Sequence, residues 1–160
     1  MKKIKFLILI GLFLALSLSG SWKKSYEFLS KWDVATSDWV SAPIDLNAGL
    51  TATNGTEFNS RELSVKLKET VAIIVVFTPA AGAADTVDFS FESSYDDGYT
   101  WATFEGVVIA VPTNQAAVIG SVVRVLKIVK TYGSSHLRLK AVVNNDGANN
   151  LTDINVVMSY

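Results

Sequence analysis

Six carboxylates lie within a short stretch of the chain and are the residues best able to do chemistry. A glycosidase needs one carboxyl group as general acid and a second as base or nucleophile, placed across a cleft. Here Asp88 and Glu92 alternate with apolar neighbours, as on the solvent face of a strand, and Asp96 and Asp97 precede Gly98, as in a hairpin turn. The pattern favours structural roles, so a hydrolase is the least favoured hypothesis. The six carboxylates are Asp85, Asp88, Glu92, Asp96, Asp97 and Glu105.

Other reaction classes lack the residues that they need. The chain has no cysteine and a single histidine, His136, which excludes thiolate zinc sites, cysteine nucleophiles and sites with two imidazoles. Residues 96–98 and 145–147 do not fit the helix–loop–helix calcium pattern, although a calcium site assembled between loops stays open. We interpret His136 as a solvated strand residue. The sequence therefore predicts no catalytic residue, no cofactor and no metal, and hence a protein that is not an enzyme.

A hairpin motif follows the carboxylate-bearing strand. Residues 94–101 read Ser-Tyr-Asp-Asp-Gly-Tyr-Thr-Trp and resemble the Asp box, a hairpin found in sialidase-type β-propellers. In such a turn the aspartate accepts backbone N–H groups and the glycine permits positive φ. The resemblance implies a stable hairpin and not a glycosidase, since the chain has one such motif and only three arginines. The motif residues are Ser94, Asp96, Gly98, Thr100 and Trp101.

Short β-rich runs separated by turn residues position these groups from residue 38 onward. Alternating runs predict half-buried strands, and in one of them Leu63, Val65 and Leu67 are the inner residues. The apolar run 71–77 predicts a central strand buried on both faces. Evenly spaced strands without crossover helices predict an all-β fold, an antiparallel, jelly-roll-like β-sandwich over residues 38–160. The most regular runs are 63–67, 71–77, 87–91, 122–130 and 137–141.

A basic and apolar leader precedes the β-rich part. Residues 1–31 carry six lysines and one glutamate, a net charge of +5, whereas residues 32–160 carry 8 basic and 14 acidic residues, a net charge of −6. Three lysines precede an uncharged run at 6–18, as in a secretory signal peptide. Residues 1–20 are therefore predicted to be a signal peptide or, if not cleaved, a membrane anchor that contacts the membrane through residues 1–22. Either alternative predicts an exported protein, extracellular or at the cell surface.

An aromatic periodicity follows the leader. Trp22, Tyr26, Leu29 and Trp32 recur at the spacing of one helix face, which predicts an amphipathic helix or linker over residues 21–37. Such a helix would pack on the body of the protein or lie at a membrane interface with its lysines toward lipid headgroups. Together with the hydrophobic leader, it would place an N-terminal helix before the sandwich.

The β-rich part also resembles β-sandwich structural proteins of phage virions and other surface assemblies. The resemblance rests on the stretch 92–101, on the stretch 136–143, and on the Asn/Gly turn and last strand that follow. It concerns the pattern and spacing of elements over residues 60–160. It implies a structural or adhesive part.

Two functions of different classes follow. The first is a non-enzymatic exported structural subunit of a cell-surface filament, appendage or virion, which self-associates into a homo-oligomer or polymer through its sandwich edges. The alternative is a secreted carbohydrate- or ligand-binding module whose aromatic platform would be Tyr95, Tyr99 and Tyr132, with a glycan or cell-surface partner. The net charge of −1 argues against a nucleic-acid partner.

Two further groups of surface residues are predicted. Asn54 and Asn150 each begin an Asn-x-Thr sequence in a predicted loop, which makes them candidate glycosylation sites in a secretory host. Five basic residues are predicted to form a stripe on adjacent strands, suited to an electrostatic contact with a partner. They are Arg124, Lys127, Lys130, Arg138 and Lys140.

Overall fold

The computed structural model describes residues 24–80, 86–104, 109–112 and 122–160. These residues form an all-β structure of antiparallel sheets without a helix, which confirms the all-β, antiparallel part of the predicted fold class. The leader over residues 1–20, with its predicted hydrophobic helix, lies outside the described residues. Within the described part of the chain, no helix has the length and apolar character needed to cross a membrane.

Thirteen strands form in the described residues, and the longest are rich in β-branched and aromatic side chains, which fit a pleated, half-buried surface. The strands are β1 (Ser25–Glu27), β2 (Ser30–Asp33), β3 (Asp38–Ser41), β4 (Ile44–Leu46), β5 (Thr51–Thr53), β6 (Leu63–Ser64), β7 (Thr70–Pro79), β8 (Thr86–Ser94), β9 (Ala102–Thr103), β10 (Ile109–Pro112), β11 (Val123–Lys130), β12 (His136–Asn144) and β13 (Leu151–Ser159).

Two larger sheets and one hairpin contain these strands. Sheet 1 has five strands in the order β1-β13-β7-β11, and β4 also pairs with β13. Sheet 2 has six strands in the order β10-β8-β12-β5, with β9 also on β8 and β6 also on β12. The remaining pair, β2 and β3, forms a separate hairpin between β1 and β4.

The chain crosses repeatedly from one sheet to the other. It passes from β4 to β5, from β7 to β8, from β10 to β11, and then through β12 to β13, changing sheet each time. Neighbours within a sheet are consequently far apart in sequence, as when Ser25 of β1 pairs with Ser159 of β13. Sheet 1 is therefore held together mostly by long-range pairing.

Both sheets pack face to face on one hydrophobic core. Across the sheets, the rings of Phe77 on β7 and Phe89 on β8 lie 6.4 Å apart, and Phe28 and Phe91 lie 5.5 Å apart. All four side chains are fully buried. Burial of apolar surface, worth about 25 cal/mol per Å², is the main stabilising term for such a core.

The run at 71–77 forms the central strand β7, but the prediction that it is buried on both faces is wrong. Ala72, Ile74 and Val76 lie on the outer face of sheet 1 and are only half-buried. A strand of continuous apolar sequence gives no alternation from which its outer face can be recognised. The inward residues are Val71, Ile73, Val75 and Phe77.

The helix predicted over residues 21–37 is not formed in the part of it that the structure describes. Ser25–Glu27 is a strand that pairs with β13, and Ser30–Asp33 is a strand that pairs with β3. Leu29 is buried whereas Trp32 is exposed, so the expected apolar face is divided. Long-range pairing overrides the helical spacing, and the sandwich includes Ser25 as well as the predicted residues from 38 onward.

The strand predicted around residues 63–67 is shorter than expected. β6 ends at Ser64, and although Val65 is buried, Leu67 has a φ of 61° and a fully exposed side chain. A leucine in the left-handed region is unusual because its Cβ crowds the backbone. Leu67 is therefore the tip of a turn and not an inner strand residue.

Candidate functional site

Three loops meet at one end of the sandwich, which we call the loop end. The sheet registers bring them together, because Lys130 pairs with Thr70 in sheet 1 and His136 pairs with Ser94 in sheet 2. The loops that precede or follow the strands at these pairs therefore lie at the same end of the molecule. The three loops are residues 65–69, residues 95–101 and residues 131–135.

The described part of the chain also begins at the loop end. The backbone N–H of Tyr160 donates to the carbonyl oxygen of Lys24 at 3.4 Å, and Lys68 Nζ lies 4.1 Å from the centre of the Tyr160 ring. The ring of Tyr26 stacks on the same tyrosine at 5.8 Å. Burial raises the pKa of Tyr160, and its hydrogen bond with Tyr26 raises that pKa further.

A groove of about 940 Å³ lies between the three loops. Tyr95 and Tyr132 line it and are both largely exposed, so two of the three residues predicted as an aromatic platform come together. The third, Tyr99, is 88% exposed and does not line the groove. Leu67 lines the groove as well, and sequence reasoning missed it because no glycine or asparagine marks its left-handed turn.

Charged side chains surround the groove. Lys66 Nζ lies 2.8 Å from Asp97 Oδ1, and both side chains are about half exposed, so solvent screens this ion pair. The lining carries a net charge of +1, whereas residues 32–160 as a whole carry −6. The groove is thus a slightly positive region on an acidic body. Its charged residues are Lys66, Lys68, Glu69, Asp97 and Lys130.

Buried hydroxyl groups form the floor of the groove. Ser135 Oγ donates to the carbonyl oxygen of Ser94 at 3.0 Å and accepts the backbone N–H of Asp97 at 3.0 Å. Thr131 Oγ1 donates to the carbonyl oxygen of Lys68. These hydrogen bonds join all three loops to one another.

The predicted hairpin residues lie together at the end of β8 and in the loop that follows it. Ser94 Oγ donates to Asp96 Oδ1 at 2.7 Å, and Thr100 donates to Asp96 through its backbone N–H at 2.8 Å and its hydroxyl at 2.6 Å. Trp101 Nε1 donates to the carbonyl oxygen of Gly98 at 3.0 Å, and Gly98 has a φ of 92°. The arrangement stabilises a turn.

The same hydrogen bonds act on the ionisation of the hairpin carboxylate. The Thr100 hydroxyl, followed by the Thr100 backbone N–H and the Ser94 hydroxyl, lowers the pKa of Asp96 to about 2. Hydrogen bonds to the charged form favour that form. Asp96 is consequently ionised over the whole physiological pH range.

The carboxylates at 85–105 do not gather around one cleft in the described residues. Glu92 Oε2 lies 2.8 Å from a guanidinium nitrogen of Arg138. Asp88, nearer the other end of β8, accepts a hydrogen bond from Asn145 Nδ2 at 2.8 Å. Among the described residues, no group of three His, Cys, Asp or Glu side chains is placed to hold a metal ion. Asp85 and Glu105 lie outside the described residues.

The predicted basic stripe is wrong, because β11 and β12 lie in different sheets. Arg138 lies on sheet 2, where its guanidinium also stacks 4.1 Å from the centre of the Trp101 ring. Lys140 Nζ donates to Thr103 Oγ1 at 2.9 Å on the same sheet. Arg124 and Lys130 lie on the outer face of sheet 1. The basic residues thus serve two separate surfaces.

The other predicted surface residues lie apart from the groove or at its margin. Asn54 Oδ1 accepts the N–H of Ser60 at 2.8 Å, and Asn150 Oδ1 accepts the N–H of Ala48 at 3.0 Å, so both side chains stabilise loops. Their glycosylation stays a prediction. His136 is half-buried at the start of β12.

One edge of sheet 1 exposes large apolar side chains. Leu126 and Ile128 on β11 are 59% and 68% exposed, and in the described residues β11 pairs only with β7. The register places them beside the half-buried outer residues of β7 and β13, forming what we call the outer apolar patch. The patch consists of Ile74, Val76, Leu126, Ile128 and Val157.

The opposite edge of sheet 1 is formed by β1 and β4, and together with the separate β2–β3 hairpin that connects them, Ser25 to Leu46, we call it the N-terminal edge. Trp32 and Trp39 pair across the hairpin with ring centres 5.7 Å apart, and both are exposed. Val34 at the hairpin tip is 80% exposed. This edge therefore also presents apolar surface to solvent.

Comparison with known proteins identifies no family. No protein family profile matches the sequence, and no curated protein is significantly similar to it. Solved structures similar to the chain include the VP2 subviral particle of infectious bursal disease virus, at 11% identity and a TM-score of 0.44, and the Gt strain of that virus, at 12% identity and a TM-score of 0.44. Each match covers 88% of this chain, which spans only about a third of the viral chains (33% and 34%).

Proposed function

We propose that this chain is an exported, non-enzymatic structural subunit that self-associates head to tail through the two opposite edges of sheet 1. The observation that carries the proposal is the edge strand β11, eight residues long, paired on one side only among the described residues and bearing Leu126 and Ile128 exposed. A long unpaired edge presents a row of N–H and C=O groups that can pair with a strand of another chain. Burying the two side chains in the same contact adds a hydrophobic contribution.

Charge favours the N-terminal edge of a second copy as the partner. β11 carries three basic residues and no acidic residue, a net charge of +3. The N-terminal edge carries four acidic residues and one lysine, a net charge of −3, together with its exposed tryptophans. Two β11 strands would instead oppose like charges, which destabilises cross-strand pairs. The acidic residues are Glu27, Asp33, Asp38 and Asp45.

A head-to-tail contact determines the kind of assembly. Because the two contacting edges differ and lie on opposite sides of the same sheet, each added subunit exposes a fresh β11. Contacts of this heterologous type generate rings or open filaments, in contrast to the closed dimers of a two-fold contact. The proposed product is therefore a polymer or ring, as expected for a filament, an appendage or a shell.

The connectivity of the sandwich suits this role. Eight strands are arranged in the orders β4-β13-β7-β11 and β5-β12-β8-β10. We assign this connectivity to the jelly roll, an architecture that occurs in viral capsid and lectin domains. A fold does not by itself determine a function, so the proposal depends on the edges.

The test is the concentration dependence of the assembly. Light scattering after size-exclusion chromatography, together with electron microscopy, should show species that grow with protein concentration. The variant Arg124→Glu/Ile128→Glu should stay monomeric, because it removes charge complementarity and apolar surface from β11. Thr51→Glu is the matched control, since Thr51 is exposed on the edge strand β5 of sheet 2. A wild-type protein that is monomeric at every concentration would overturn the proposal.

Mixing distinguishes the head-to-tail contact from a two-fold contact. The β11 variant keeps an intact N-terminal edge, so it should cap growing wild-type assemblies and shorten them in proportion to its amount. If β11 instead pairs with β11, the variant should form discrete one-to-one dimers with the wild-type protein. Circular dichroism of each variant verifies that the sandwich is folded.

A further inference from the structure

We infer that the loop end is a docking surface for a membrane whose outer lipids are anionic. The inference concerns the loops at one end of the sandwich, and Lys130 at the end of β11 is the one residue that it shares with the edge contacts proposed above. Three observations carry it: the exposure of Leu67, the chemistry of the groove rim, and the place where the leader joins the described chain.

Leu67 is held outward by its backbone. Its φ of 61° turns the side chain away from the sandwich, so that it is fully exposed while Val65, two residues earlier, is buried. The left-handed conformation costs free energy in a leucine, and the turn is held by the N–H of Lys68, which donates to the carbonyl oxygen of Val65 at 3.0 Å. An aliphatic side chain fixed at the tip of a turn is placed to insert among acyl chains.

The residues around Leu67 are the types enriched at a membrane interface. Tyr95 and Tyr132 line the same groove and combine an apolar ring with a polar hydroxyl group, which suits the headgroup level. Lys66 and Lys68 flank Leu67 directly and Lys130 lies across the groove, so that, with Glu69 and the Asp97 that pairs with Lys66, the lining has a net charge of +1. Long basic side chains bury their methylene groups and extend their charges to lipid phosphates.

The leader joins the described chain at this same end. Lys24 contacts Tyr160, whose ring lies under the ammonium group of Lys68, so the entry point is next to the Leu67 turn. Residues 6–18 are uncharged and apolar. Six residues separate that run from Ser25, and six residues span about 20 Å at most. A leader in the bilayer would therefore hold the loop end against the membrane surface.

A saccharide is the rival occupant of the groove. Aromatic platforms for sugars need a ring face open to the ligand and polar groups free to bond hydroxyls. Here the floor residues Thr131 and Ser135 already bond to the neighbouring loops. Leu67 at the rim offers a neutral sugar no hydrogen-bonding side-chain group. The observations thus favour a lipid surface.

Because the chain contains no cysteine, a single introduced cysteine can be labelled specifically. The full chain with Leu67→Cys is labelled with a polarity-sensitive fluorophore and mixed with vesicles of phosphatidylcholine, with or without phosphatidylglycerol. We expect a blue shift with the anionic vesicles that is weaker with the neutral ones. The matched control is Ala148→Cys, exposed on the loop between β12 and β13 at the opposite end, whose label should stay in water.

Charge reversal tests the lysines. In the labelled background, Lys68→Glu and Lys130→Glu should each lower the docking equilibrium by about fivefold or more, the effect of one basic residue near an anionic surface. Equal shifts at positions 67 and 148, no shift at either, or a shift that charge reversal leaves unchanged would overturn the inference. Two results together would assign the groove to a saccharide. The full chain would bind on a glycan array and lose that binding in Tyr95→Ala and Tyr132→Ala, and the fluorescence of the label at position 67 would not change with vesicles.

Discussion

The two sheets share one core but differ sharply on their outer faces. The outer face of sheet 2 carries Asp88, Ser90, Glu92, Arg138 and Lys140, joined to each other and to neighbours by hydrogen bonds and ion pairs. The outer face of sheet 1 carries the outer apolar patch, with Arg124 and Lys130 at either end of its edge strand.

This difference distinguishes an outer face whose polar groups are mostly paired within one subunit from one that leaves apolar side chains exposed to solvent. Most polar groups on the outer face of sheet 2 find their partners within the chain, although among the described residues Asp88 Oδ1 is buried without a hydrogen-bond partner. The side chains of the patch gain free energy only when another surface removes them from water. The proposed self-association therefore uses the edges of sheet 1, the sheet whose outer face is apolar.

The largest expected effect on stability comes from substitutions on the inner faces, where the loss of stability should be about equal for the two sheets. Phe77→Ala in sheet 1 and Phe89→Ala in sheet 2 should each lower the free energy of unfolding by about 3–5 kcal/mol, because both rings are fully buried and leave a cavity. Urea unfolding of both variants measures this. If either substitution has the small cost of a surface change, the two sheets do not share one core.

The next effect concerns the polar outer face. Glu92→Gln removes the carboxylate that accepts from Arg138 at 2.8 and 2.9 Å and should lower the free energy of unfolding by about 1.5 kcal/mol, since both side chains are partly shielded. Glu69→Gln, on the exposed loop before β7, is the control and should change stability little. Equal costs for the two substitutions would mean that the ion pair adds no stability.

A smaller effect on stability is expected for the outer apolar patch. Leu126→Thr should change the free energy of unfolding by about 0.5 kcal/mol or less, because the side chain is 59% exposed and contributes little to the core. The same substitution should weaken self-association, which sedimentation at several concentrations measures. A large loss of stability without any change in association would show that the patch serves the fold and not an interface.

The smallest expected effect on stability comes from the hairpin after β8, and it depends on pH. The pKa of Asp96 is about 2 in the folded chain against an ordinary 3.8, so its ionised form stabilises the fold at pH values above 3.8. That contribution declines as the pH falls below 3.8 and is lost as it passes through about 2. Asp96→Asn should therefore melt at a lower temperature than wild type near neutral pH and at nearly the same temperature near pH 2. A difference in melting temperature that does not depend on pH would contradict this assignment.

The alternation of apolar and polar residues predicted most of the strands of the sandwich. On β12, Leu137 and Leu139 are buried while Arg138 and Lys140 face outward, as their alternation indicates. β11 shows the limit of the method: both of its rows contain large apolar residues, so the exposure of Leu126 and Ile128 depends on which side meets the core. That choice is made by the partner strand and not by the local pattern.

The errors have equally local causes. Tyr26 and Leu29 have helical spacing, but Tyr26 lies in β1, which pairs with the distant β13, and Leu29 forms a β-bridge with Ser60. Leu67 continues an alternation that the backbone abandons at Val65, and a positive φ at a leucine has no signature in the sequence. The hairpin residues Asp96 and Gly98, in contrast, determine their own turn, so the sequence alone could place them together.

The position of β13 has a consequence for the order of folding. Leu151–Ser159 is the partner of β1, β4 and β7 at once, so the two N-terminal strands of sheet 1 have no neighbour until these late residues are available. Pairings of such sequence separation are slow to form, because the chain must close long loops first. During synthesis β1 and β4 must therefore stay unpaired until nearly the whole chain has been made.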